Sequence, residues 1–152
     1  EPAAVPLSVG PDGAPVVPGR HVSIAHTGRG SGTVAVAAVS AGPVGVDLER
    51  VGPRRADLWR RVLSPSEHGV LDAFGGPTDS TQTLLWALKE AVLKGQRTGL
   101  RAGARSVTLG VPDGTGPHRG RLRAVSEQSG AWEVAYALHG EAWVVAAWAV
   151  DR

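Results

Sequence analysis

The hydrophobic and polar positions fall into three stretches: short alternating runs, then helical periodicity, then alternating runs again. Residues 21–25 (HVSIA) predict a short strand running into a turn at His26-Thr27-Gly28-Arg29-Gly30. Residues 33–40 (TVAVAAVS) are small, apolar and β-branched at alternate places, the pattern of a buried strand. A turn at Ala41-Gly42-Pro43 leads into a third strand over 44–49 (VGVDLE), and so short a connection predicts that these last two strands pair as a hairpin.

Helical periodicity begins at residues 57–63. Ser64-Pro65-Ser66-Glu67 is a fresh helix start with Pro in the first turn, and Gly75-Gly76-Pro77 ends that segment. Asp79 with Gln82 three residues on resembles a capping arrangement for a long helix over about 80–96. Leu84, Leu88, Ala91 and Val92 form its core stripe, Trp86, Glu90 and Lys94 share a second face, and Lys89 projects from the flank between them. Strand patterns return over 106–111, 121–125, 132–138 and 142–150, interrupted by a Gly/Pro-rich loop over 112–120. Strands, two main helices and strands again predict an α+β domain with a mostly antiparallel sheet. The Pro- and Gly-rich residues 1–19 read as an extended lead-in or linker, and 20–152 as the domain.

Composition narrows the function classes. The 152 residues suffice for one core, with 42% hydrophobic residues and a net charge of only +2. Five Trp, one Tyr and one Phe are scattered and form no basic-aromatic stripe, which argues against nucleic acid as partner. The absence of Cys excludes disulfides and thiolate metal sites, and fits a cytoplasmic protein. No apolar run reaches the ~20 residues of a membrane helix. The chain starts at Glu1 rather than Met, which suggests a segment of a longer chain.

Charge usage points to one place. Fourteen basic residues are Arg and only two are Lys, Lys89 and Lys94, which flank Glu90 on the long helix. Lysine is a compact point charge where arginine is a planar fork, so its restriction to this helix suggests point charges placed around a carboxylate. Glu90 and Lys94 could equally form a solvated helix pair, although Trp86 on the same face argues against full solvation. Asp47 and Glu49 share one strand face; they could take a hard cation such as Mg²⁺ between them, or mark a strand end entering solvent. His26 sits where turn amides could approach a phosphate, or is an ordinary turn histidine. Glu67 could simply stabilise a helix start. Arg54, Arg55, Arg60 and Arg61 around Trp59 form either a solvated surface or a dock for an acidic partner.

Taken in order, His26-Thr27-Gly28, Gly45-Val46-Asp47-Leu48-Glu49, Leu63-Ser64-Pro65-Ser66-Glu67 and Trp86-Ala87-Leu88-Lys89-Glu90-Ala91-Val92-Leu93-Lys94 with Gly99-Leu100 are specific as a set. From about Pro11 to the C-terminus the chain resembles the 4′-phosphopantetheinyl transferases of the surfactin-synthetase-activating type. The resemblance implies one half of that family's usual pseudo-dimeric fold. It also implies transfer of the phosphopantetheine arm of coenzyme A to a serine of an acyl or peptidyl carrier protein, releasing adenosine 3′,5′-bisphosphate. Carried over by position, Asp47, Glu49 and Glu90 would hold Mg²⁺, and Glu90 would help deprotonate the serine, directly or through a water. Lys94, Lys89, His26, Thr27 and Arg29 would contact cofactor phosphates, and Glu67 would be an auxiliary acid near the metal. The arginine cluster would face the acidic carrier.

The chain departs from the family in lacking most of the first half, and in carrying Ala25 where a hydroxyl is frequent and Ala14 where a Lys is frequent. Those positions imply contacts to the 3′-phosphate of coenzyme A, for which Arg20 or Arg29 are the candidate replacements. The missing half suggests a domain excised from a polyketide-type synthase, homo-oligomerisation, or pairing with an upstream domain. A non-catalytic carrier-docking module and a generic Mg²⁺-dependent nucleotide binder are the competing classes.

Overall fold

The computed structural model describes residues 6–28, 32–98, 103–114, 116 and 118–150; the expectations placed on Arg29 and on Gly99-Leu100 lie outside them. In chain order the elements are β1 (Ser8–Val9), β2 (Pro15–Val16), β3 (His21–Thr27), β4 (Val34–Ser40) and β5 (Val44–Arg50). Helices α1 (Ala56–Val62), α2 (His68–Ala73) and α3 (Asp79–Gly95) follow, then β6 (Val107–Leu109), β7 (Arg119–Ser126), β8 (Gly130–His139) and β9 (Ala142–Ala149). The α+β class and the antiparallel sheet are as the pattern predicts.

Five strands form the main sheet in the order β5-β9-β8-β7-β6, every pair antiparallel. α3 covers one face of it. Leu84, Leu88, Ala91 and Val92 meet Val107, Leu122, Trp132, Val134 and Val145 in one buried cluster, so the predicted helix stripe is the core stripe. The cap of α3 lies one residue before the expected one: it is Thr78, its Oγ1 accepting the Thr81 amide at 3.1 Å.

Two expectations are corrected. The strand at 44–49 does not pair with the strand before it: β4 pairs with β3, and β5 pairs with β9 through Val44↔Trp148 to Arg50↔Ala142. The reason is burial. Val44 to Leu48 are all buried, so β5 needs cover on both faces, and a lone hairpin cannot supply it. α3 lies on one side and β3 beside it, tied by the Val46 amide donating to Ser23 Oγ at 3.0 Å. The expected extended lead-in holds a small hairpin, β1 with β2, closed by the Gly10 amide on the Ala14 carbonyl at 2.8 Å.

Candidate active site

Gly45 explains why the charged residues of β5 and α3 meet. A Cβ at Gly45 would lie 1.8 Å from the Ala91 carbonyl oxygen and 2.5 Å from the Gly95 amide nitrogen, so strand and helix backbones touch there. Two residues along β5 from this contact is Asp47, and on α3 the neighbouring residues are Glu90 and Lys94. Lys94 Nζ donates to Asp47 Oδ1 at 2.5 Å, with the Asp47 side chain 5% exposed. The second Asp47 oxygen, Oδ2, is buried without a hydrogen-bond partner, and so is Glu90 Oε1.

These two oxygens are costly as they stand, because a buried acceptor without a donor has lost its water. Burial accordingly raises the Asp47 carboxyl above its ordinary range, against the opposing charge and hydrogen bond of Lys94. Glu90 is pushed up to about 7, first by desolvation and then by the negative charge of Asp47, with Lys94 again opposing. A hard divalent cation takes one or two carboxylates and completes its shell with water or phosphate oxygens, so these unpaired oxygens fit such an ion.

Glu49 stands apart from them. Its Oε1 accepts the Trp86 indole N–H at 3.1 Å and its Oε2 is paired with Arg54. Among the described residues no three His, Asp or Glu side chains are gathered closely enough to hold a metal ion. Of the three carboxylates expected to converge, Asp47 and Glu90 keep free buried oxygens here, while Glu49 is engaged by Trp86 and Arg54. Trp86 shares its helix face with Glu90, as predicted, and Arg54 leaves the surface cluster to reach Glu49. Arg55, which pairs with Asp57 at 3.1 Å, Arg60 and Arg61 remain exposed.

Lys89 and Glu67 meet each other and not the cluster at Asp47. Both side chains are 0% exposed, with Lys89 Nζ donating to Glu67 Oε2 at 2.7 Å and to the Val62 carbonyl at 2.7 Å. Glu67 also accepts the Ser64 amide at 2.8 Å and the Leu109 amide at 2.9 Å. Burial lowers the Lys89 pKa, with Glu67 opposing. This pair ties the end of α1, the Ser64–Glu67 turn, β6 and α3 together. The groups expected to make a phosphate contact and to act as an acid beside the metal, Lys89 and Glu67, are engaged with each other in this structure, and neither reaches solvent.

His26 lies on β3 itself, opposite Ala35, because the strand continues through Thr27 past its predicted end. It is exposed, and alternation puts it on the strand face of Val22 and Ile24, both of which line a cavity of about 250 Å³ that also contains Lys94 and Arg97. Thr27 is half-buried and points to the opposite face. Ala25 is buried with Val46 and Leu48. Arg97 was not singled out from the sequence, although a basic residue just beyond the last turn of the lysine helix was a usable signal. A second cavity, about 440 Å³, opens between α1, α2 and α3 against Trp59, Arg60, Leu63, His68, Leu71 and Arg105.

Residues 43–147 match the 4′-phosphopantetheinyl transferase superfamily, and the chain belongs to it. It is similar to a 4′-phosphopantetheinyl transferase of Bacillus subtilis, with 31% identity over 118 residues, 74% of this chain and 50% of that protein. The psf-1 4′-phosphopantetheinyl transferase of Bacillus pumilus is 32% identical over 103 residues, 64% of this chain and 42% of the relative. The corresponding figures for Sfp of Bacillus subtilis strain 168 are 29%, 87 residues, 57% and 37%. The chain thus spans about half the length, or less, of these curated relatives.

Proposed function

We propose that this chain carries a catalytic half of a 4′-phosphopantetheinyl transferase, moving the phosphopantetheine arm of coenzyme A to a serine of an acyl or peptidyl carrier protein. The observation that carries this reading is the Lys94–Asp47 contact beside two buried, unpaired carboxylate oxygens on Asp47 and Glu90. Asp47 and Glu90 would hold Mg²⁺, which when bound supplies charge neutralisation at the pyrophosphate. Lys94 adds a point charge toward the same phosphates, and His26 faces them from β3. In the step itself the serine oxygen bonds to the phosphorus of the phosphopantetheine phosphate. The bond from that phosphorus to the bridging oxygen breaks, and adenosine 3′,5′-bisphosphate leaves. The serine proton passes to Glu90, directly or through a water. Positioning and charge placement dominate such displacements.

The apolar cavity with Arg60 and Arg105 on its rim supports a docking role for the α1–α2 face toward an acidic carrier. The remainder of the cleft would come from a second copy of the chain or from an upstream segment, and native mass reads which. Among the described residues no helix is long and apolar enough to cross a membrane. The deciding experiment incubates the chain with apo carrier protein, coenzyme A and Mg²⁺ and reads the carrier's mass. Addition of the phosphopantetheine arm supports the transferase; an unmodified carrier, where a known transferase modifies it, removes the reading.

A further inference from the structure

Arg97 occupies a position that glycine usually takes. At the end of α3 the Thr98 amide reaches back to the Leu93 carbonyl at 3.2 Å and the Arg97 amide to the Lys94 carbonyl at 3.1 Å. This is the bond pattern of a helix terminated by one left-handed residue, and that residue is Arg97, at φ 59°. Among the described residues it is the sole non-glycine with positive φ. A side chain there is unfavourable for the backbone, which makes Arg97 a residue whose surroundings need an account.

The turn aims that side chain at the cavity shared with Lys94. One guanidinium nitrogen donates to the Pro15 carbonyl at 3.3 Å, on the wall formed by Asp12 to Pro15. A guanidinium carries five N–H donors, and among the described residues no carboxylate pairs with Arg97. Asp12, which also lines the cavity, turns one carboxylate oxygen to the Ala14 amide at 3.1 Å. The wall beside Arg97 is Ala14, uncharged. The cavity thus holds two cations of different standing: Lys94, engaged by Asp47 at the carboxylates, and Arg97, with donors to spare. Coenzyme A has phosphate at two places, the pyrophosphate and the ribose 3′-phosphate, and the second needs a cation that Lys94 does not supply.

We infer that Arg97 binds the 3′-phosphate of coenzyme A and sets the preference for coenzyme A over its dephosphorylated form. The inference rests on the proposed transferase reading. It assigns this contact to Arg97 in place of Arg20, which does not line the cavity.

Calorimetry on the full chain with coenzyme A and with dephospho-coenzyme A tests it, using wild type, Arg97→Gln, Arg97→Lys and Arg97→Gly. A charge-assisted contact predicts that wild type prefers coenzyme A by about tenfold or more. Arg97→Gln and Arg97→Gly should bind both forms alike, and Arg97→Lys should keep part of the preference. Arg97→Gly also relieves the backbone, so its thermal midpoint should not fall, which separates ligand recognition from a structural strap onto Pro15. An undiminished preference in Arg97→Gln, or no preference in wild type, overturns the inference. Carrier modification run alongside distinguishes the two levels: transfer by wild type without that preference removes the role of Arg97 alone, whereas absence of transfer removes the parent reading.

Discussion

Gly45 and Ala91 hold strand and helix in backbone contact, with room for no side chain between them: a Cβ at Gly45 would sit 1.8 Å from the Ala91 carbonyl oxygen. That contact sets the distance at which Asp47 and Lys94 meet. Gly45→Ala therefore forces β5 and α3 apart, and neither is a flexible side chain that can yield. The expected loss is about 2–4 kcal/mol of unfolding free energy, read from urea midpoints. Any folded Gly45→Ala protein should transfer slowly, because the Lys94–Asp47 contact opens with the backbone. Near wild-type stability and activity would show that the contact does not govern the site.

Glu90→Gln should make the protein more stable and less active at once. With the native carboxyl raised to about 7 against an ordinary 4.5, both folded and unfolded chains hold the proton below 4.5 and there is no penalty. Between those values the unfolded chain releases its proton first, so stability falls as pH rises, and above 7 the whole cost is present. Glutamine mimics the protonated acid at every pH. Without metal, Glu90→Gln should gain on the order of 1–3 kcal/mol over wild type at pH 8 and little at pH 4, measured by denaturant unfolding. Transfer should drop about 10²-fold or more. A gain that does not depend on pH would contradict the assigned cause.

How much of this was legible beforehand depended on whether a residue's partner lay in its own pattern. The core stripe of α3 was, because helical spacing alone places Leu84, Leu88, Ala91 and Val92 together. Asp47 and Glu90 were singled out as acids worth attention, and the structure buries both. The burial of Lys89 was not legible, because helical spacing gives the direction of a side chain and not what covers it. α3 is buried almost all round, and the acid that permits this, Glu67, lies on a turn 22 residues away. The pairing of β5 was misread because turn length speaks for a hairpin, whereas burial on two faces is decided by β9 and α3, distant in sequence. Glu49 was placed on the right strand face; what engages it, Arg54 and the Trp86 indole, is set by side-chain geometry that spacing does not encode.

The Lys89–Glu67 pair yields a prediction about folding. Both partners are wholly buried, and each has further hydrogen bonds to backbone. Removing one partner leaves an uncompensated charge, so Lys89→Met should cost about 3–5 kcal/mol. Lys89→Met with Glu67→Leu removes both charges and should recover part of that loss, although the Leu109 and Ser64 amides lose their acceptor. The coupling is read from a double-mutant cycle of urea midpoints. A cycle with no coupling would mean that the two groups do not sense each other in solution.

Asp47 and Glu49, two residues apart on one strand face, should differ as metal ligands. Asp47 offers a buried oxygen without a partner, whereas both Glu49 oxygens are occupied, one by the Trp86 indole N–H and one by Arg54. An ion recruiting Glu49 must first displace Arg54, whereas Asp47 and Glu90 need lose no hydrogen bond at their free oxygens. The readout is the rise in thermal midpoint on adding Mg²⁺ to protein without coenzyme A, which follows metal affinity directly. Asp47→Asn should abolish most of that rise. Glu49→Gln should lower the starting midpoint, since Arg54 loses its charged partner, yet preserve most of the Mg²⁺-induced increment. Equal loss of the increment in both variants would restore Glu49 as a ligand and identify Arg54 as a side chain that gives way when metal binds.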